Sequence, residues 1–163
     1  MGLSKSVILV SNVNEEELVK IAKEIEILSK NALSQERKTN LIEVKRHEVG
    51  IHIENNCGII IAEPLLEKEY TKILESLSKN RKILFWTSIS SMDGVWFEYF
   101  KNAEILRKYV AMEGETVMNI GEPLLEEKGL FEEGDFSELI ELGEKLMGVS
   151  DELMFEGEFN VFR

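Results

Sequence analysis

RKILFWTSISSMDGVWFEYFKNAEILRKYVAMEGETVMNIG, residues 81–121, is the stretch that decides the fold. It contains four runs rich in β-branched and aromatic residues, at 81–90, 94–100, 103–111 and 116–121. They are separated by SMDG, KNA and MEGE, and each separator carries residues that turn a chain tightly. Strand-forming runs joined by connections this short pair with their neighbours, so the stretch predicts a four-strand antiparallel meander. Within it, VWFEYF alternates. Val95, Phe97 and Tyr99 share one face, and Trp96, Glu98 and Phe100 share the other. If helices cover only one face, Trp96 and Phe100 lie near solvent beside Glu98, an arrangement typical of interface anchors. If both faces are covered, these residues are core.

Working towards the N-terminus, CGIIIAE, GIHIEN and LIEVKRHE read as short strands and the polar SQERKTN, residues 34–40, as a loop. SVILVS, residues 6–11, reads as a buried strand. Asn14 with Glu17 caps a helix whose Leu18, Ile21, Ala22, Ile25 and Leu28 keep helical spacing to about residue 31. Pro64 suits the first turn of a second helix, with Leu66, Tyr70, Ile73, Leu74 and Leu77 on its apolar face, ending near residue 80. Towards the C-terminus, Asp135 and Glu138 form a capping box for a third helix. Its Phe136, Leu139, Ile140, Leu142 and Leu146 face the core, and Gly148 stops it. A short helix and a terminal strand follow. The expectation is one domain over residues 1–163. Its class is α+β: a mainly antiparallel sheet with a central four-strand meander and about three helices packed mostly on one face.

The chain has 163 residues, of which 44% are hydrophobic and 31% charged, enough to build a single core. One cysteine, Cys57, excludes an internal disulfide and suits a reducing compartment, so a cytoplasmic location is expected. No apolar run is long enough to span a bilayer. MGLSKS formally fits an N-myristoylation pattern, but no polybasic second signal follows and residues 6–10 read as strand, so no membrane anchoring is expected.

The net charge of −12 is uneven. Residues 1–112 hold 16 acidic and 16 basic side chains, and residues 113–163 hold 15 acidic and 3 basic. Such a balance disfavours nucleic acid and anionic membranes and steers a basic partner to the C-terminal third. The plain alternative is a solvated face that aids solubility. The densest part is GEPLLEEKGLFEEGD, residues 121–135, with six carboxylates and one lysine. The dipole of the third helix accounts for Glu133 and Asp135, and reaches towards Glu132. It does not account for Glu126 and Glu127.

Chemistry-bearing motifs are sparse. His47, His52 and Cys57 are spaced H-x4-H-x4-C, which fits neither helix neighbours nor a zinc knuckle, and a Cys–His nucleophile would need a turn that NNCGI lacks. There is no G-x-S-x-G elbow, no P-loop and no G-x-G-x-x-G, so neither a cofactor nor a metal is predicted. Any two of 31 carboxylates could meet in a cleft, so none is singled out as catalytic.

DGVWFEYFKNAEILRKYV followed by NIGEPLLEE, within residues 93–127, resembles small bacterial immunity proteins of polymorphic toxin and contact-dependent inhibition systems. The resemblance covers about a fifth of the chain. It implies a non-enzymatic cytoplasmic protein that binds and neutralises the C-terminal domain of a cognate toxin, such as a basic nuclease. On that reading Glu122, Glu126, Glu127, Glu132, Glu133 and Asp135 form the contact set, with Trp96 as an apolar anchor. The alternatives are a small hydrolase or transferase with an unassigned carboxylate site, and a non-enzymatic adaptor domain.

Overall fold

A computed structural model of the chain describes residues 4–65, 69–132 and 135–163. Nine strands form one wholly antiparallel sheet in the order β2-β9-β3-β4-β1-β5-β6-β7-β8. The expected meander is its right half: β5 (Lys82–Ile89), β6 (Gly94–Lys101), β7 (Glu104–Met112) and β8 (Glu115–Ile120). The central strands β1 (Lys5–Ser11) and β4 (Cys57–Ala62) pair with each other and are buried along almost their whole length. β3 (Val49–Glu54) and β9 (Phe159–Phe162) continue the sheet to β2 (Ser34–Thr39) at the far edge.

The helices are divided between the two faces, not gathered mostly on one. α1 (Glu15–Glu24) and α2 (Glu69–Leu77) cover Ile8, Val10, Ile60, Ile83, Phe85 and Phe100. α3 (Phe136–Met147) and the short α4 (Asp151–Glu156) cover Val7, Leu9, Ile59, Leu84, Trp86 and Phe97. The physical reason lies in the central strands. VILV and IIIA are apolar at consecutive positions, so both pleat faces must be kept from water.

Local signals explain the elements that match. The Asn14 side chain accepts the Glu17 N–H at 2.8 Å and starts α1. Glu138 returns a carboxylate oxygen to the Asp135 N–H at 2.9 Å, and Gly148 ends α3 in the left-handed region at φ 72°. α1 stops sooner than expected, at Glu24, because Glu26 turns left-handed at φ 62°. For the second helix, Leu66 lies outside the described residues, and the described helix begins at Glu69.

Two expectations are corrected. Residues 34–40 are not a loop but include edge strand β2, which pairs with β9 more than a hundred residues away. Its polar sequence reflects an edge with little to bury. LIEVKRHE, residues 41–48, is not a strand but a series of turns. Asn40 Oδ1 accepts the N–H of Ile42 and of Glu43 at 3.0 and 3.1 Å, which coils the chain. Leu41 and Val44 then both reach the α3-face core.

Close packing of α1 depends on Gly58 of β4. A Cβ there would lie 2.5 Å from both Leu18 methyls and from a Val13 methyl. No helix among the described residues is long and apolar enough to cross a membrane.

Candidate functional site

Residues 121–132 of the acidic stretch fold back over the α3 face instead of leaving the domain. Leu124, Leu130 and Phe131 pack against that core. Phe131 stacks on Phe97 with ring centroids 5.1 Å apart and leans on Tyr109 at 5.3 Å. These contacts hold Phe131 at φ 64°, a strained value for a bulky residue, and its N–H is donated to the Glu138 carboxylate.

A single arginine fixes the rest. Arg107 Nε and Nη2 donate to the two oxygens of Glu127, each at 2.9 Å. Its Nη1 donates to the carbonyls of Ile120 and Gly121 at 3.1 Å and to Asn119 Oδ1. Glu127 also accepts the Leu124 N–H at 2.6 Å, within a 3-10 turn over Leu125–Glu127. Gly121 sits at φ 83°, and a Cβ on it would come 2.2 Å from the Leu106 carbonyl oxygen, so only glycine fits. Asn119, Gly121, Leu124 and Glu127 are thus all used in seating the loop on β7.

Each expected contact residue can now be placed. Glu127 is taken up inside the fold: its side chain is 9% exposed and both oxygens are bound, so it is withdrawn from any outer contact set. Glu122, Glu132 and Asp135 are exposed, and Glu126 is half-buried. Burial, and after it the Glu126 charge, raise the Tyr99 hydroxyl above its ordinary pKa, which sets Glu126 towards β6 on the α3 face. Glu133 lies outside the described residues. Trp96 is half-buried on the opposite, α2 side of the sheet, so the structure does not bring it to the loop. The alternation that placed Trp96 opposite Phe97 holds, and with both faces covered Phe100 is core.

Two carboxylates not singled out from the sequence join the loop. Asp93, from the β5–β6 turn, and Glu113, from the β7–β8 turn, line one cleft with Glu132 and Asp135. The cleft has a volume of about 590 Å³, and Tyr109, Phe131, Ser88, Ser90 and Thr116 also line it. Among the described residues, none of Asp93, Glu113, Glu122, Glu126, Glu132 and Asp135 forms an ion pair. Carboxylates from three chain segments, free of ion pairs and walled by the three rings of Tyr109, Phe131 and Phe136, suit a cationic group: charge at the rim and ring faces within. In the sequence, Asp93 and Glu113 read only as turn residues. Their shared location follows from the hairpin register.

A second cavity, of about 860 Å³, opens between the end of α1, the β3 and β4 ends and α2. Ile25, Leu28, Ala62 and Ile73 form the apolar part of its wall, and His47, Glu48 and Glu63 lie at its polar side. Glu48 is already bound by Arg37 and by the Lys45 N–H, and Glu63 lies 3.7 Å from Arg46. His47, His52 and Cys57 are not brought together. His52 Nδ1 bonds the Glu158 carbonyl at 2.9 Å, and Cys57 is buried in the α3-face core. Burial pushes the Cys57 thiol up to about 11, which removes its thiolate near neutral pH. No group of three or more metal-binding side chains forms among the described residues.

Comparison of the chain with family models, with curated proteins and with solved structures gives no match in any of the three.

Proposed function

We propose that this is a cytoplasmic binding protein of the immunity type, which holds a basic toxin domain against the acidic end of its α3 face and blocks it. The observation that carries the reading is the set of unpaired carboxylates around the cleft, Asp93, Glu113, Glu132 and Asp135, with Glu122 and Glu126 on the adjoining loop. A nuclease domain presents cations to phosphates, and carboxylates at phosphate-like positions occupy such a surface and speed its capture. Arg107 seats the part of the loop that bears Glu122 and Glu126, and Asp93 and Glu113 stand on tight hairpin turns, so little entropy is lost in ordering these groups on binding.

The test is growth rescue. The C-terminal domain encoded directly upstream of this gene is expressed with and without the protein. Killing that the protein relieves supports the reading, and killing that continues, or no killing, removes it.

A second reading is a small hydrolase or transferase. It is favoured by one observation, the 860 Å³ cavity with Glu48, Glu63 and His47 at its polar side. Turnover of ester, phosphoester or glycoside substrates that is lost in Glu63→Gln would favour it over the binding role.

A further inference from the structure

The two edges of the sheet are treated differently. β2 is blunted: its register with β9 breaks between Ser34 and Lys38, Glu36 stands at φ 52°, and Arg37 and Lys38 lie on it. Breaks and edge cations of this kind discourage a further strand. β8, at the other edge, has neither lysine nor proline, and no strand pairs with its far side among the described residues. Its register with β7 shifts once, near Ala111, and from Met118 to Ile120 it is regular.

The two faces beside β8 also differ. Ile120 and Met118 stand opposite Lys108 and Val110, on the α2 side of the sheet. There Ile120 is 53% exposed, an apolar margin beyond β7. Asn119 stands opposite Tyr109, on the α3 side, and the exposed Glu122 follows two residues after the strand ends. Any strand added here sends alternate side chains to an apolar margin and to an acidic loop.

We infer that β8 is a docking edge for an extended segment of a basic protein, which adds a tenth strand with basic and apolar side chains in alternation. The occupant is chosen by charge. A second copy of this acidic chain would set like charges together, whereas a segment with lysine or arginine at every second position meets Glu122 at the end of the strand and turns its apolar residues onto Ile120 and Met118. Backbone hydrogen bonds to β8 give attachment and the period-two pattern gives selectivity. The inference rests on the reading of the protein as a binding module and adds the strand as the means of attachment.

The probe is the blocked heptapeptide Lys-Val-Lys-Val-Lys-Val-Lys, titrated against the whole protein at low ionic strength, with amide hydrogen exchange followed residue by residue. Glu-Val-Glu-Val-Glu-Val-Glu is the control. We expect the lysine peptide to bind at least about tenfold more tightly than the glutamate peptide, and to slow exchange of the β8 amides that point away from β7. Neighbouring strand residues send their N–H groups to opposite sides, so one of Met118→Pro and Asn119→Pro removes an outward donor while sparing the β7 ladder. Asn119→Ala, which loses the same bond to Arg107, is the control for Asn119→Pro, and the proline variant whose unfolding midpoint matches its control (wild type for Met118→Pro) should lose the peptide. Binding without slowed β8 exchange would overturn the docking edge yet leave the acidic-face reading intact. Absence of binding, or protection of β8 by dimerisation without peptide, would overturn it too. Growth rescue reports on the binding role independently of all these outcomes.

Discussion

Arg107 and Glu127 meet at two points, 2.9 Å each, with side chains only 2% and 9% exposed, and this pair ties the acidic loop to the sheet. The loop's most withdrawn carboxylate is therefore a fastener, and Glu122 and Glu126 beside it form no ion pair among the described residues. Removing one partner of such a pair strands the other charge in a dry site. We expect Glu127→Ala to destabilise the protein by about 3–5 kcal/mol, whereas Glu122→Ala should change stability by less than about 0.5 kcal/mol. Urea unfolding of the two variants decides this. Equal, small losses would mean that the pair is not the loop's anchor.

Glu98 is fully buried and is held by Lys108 Nζ at 3.0 Å and by the Thr71 hydroxyl at 3.2 Å. The Lys108 ammonium also lies 5.1 Å from the Trp96 ring centre. Lys108→Met should cost about 3–5 kcal/mol, because it leaves a buried carboxylate unpaired. Adding Glu98→Gln should recover much of that loss. A double-mutant cycle measured by denaturant unfolding checks the coupling, and additive losses would argue against it.

Cys57 gives the pH dependence. Burial raises its thiol to about 11 in the folded protein, against 9.0 for an ordinary cysteine. The folded state thus holds its proton longer than the unfolded state does. Stability is unaffected by this group below about pH 9, and falls as pH rises towards 11 because the unfolded chain ionises first. Cys57→Ala should flatten that part of the stability profile. At pH 8 the folded thiolate population is about 100-fold lower than in the unfolded chain, so reaction with a disulfide reagent should be slow until denaturant is added.

Gly58→Ala should lower stability by about 1–3 kcal/mol, since its methyl would overlap Leu18 and Val13 across the α1–sheet contact. Thermal unfolding checks this. A second change, Leu18→Ala, should cost less in the Gly58→Ala background than in the wild type, because the added methyl fills part of the space it leaves.

Asp93 and Glu113 share the cleft with Glu132 and Asp135 though they are distant in the chain. Reversal at Glu113 should therefore slow association with a basic partner about as much as reversal at Glu132, by roughly threefold to tenfold at low salt, with the difference shrinking as salt is raised. Stopped-flow association at two ionic strengths reads this out. An effect confined to Glu132 would show that the loop acts without the turns.

Much of this protein was determined locally. The meander 81–121 was legible because its strand runs and turn residues lie side by side, so neighbouring pairing needs no distant information. The α3 boundaries were legible because Asp135, Glu138 and Gly148 act on their own backbone. The charge imbalance is a property of composition alone. Only the tertiary structure decided the rest, and in each case the cause is a partner remote in sequence. SQERKT became a strand because Phe159–Phe162 offers it a ladder, while LIEVKRHE did not, because Asn40 coils it and Leu41 and Val44 find a core. Glu127 could not be told from Glu126 in the sequence, since the difference is the nearness of Arg107, twenty residues earlier. Asp93 and Glu113 came to line one cleft only when β5 to β8 aligned in register and brought two turns together. Backbone preferences and apolar periodicity act over a few residues and can be read along a chain. Ion pairs, edges and clefts are relations between distant segments, and folding alone brings those segments together.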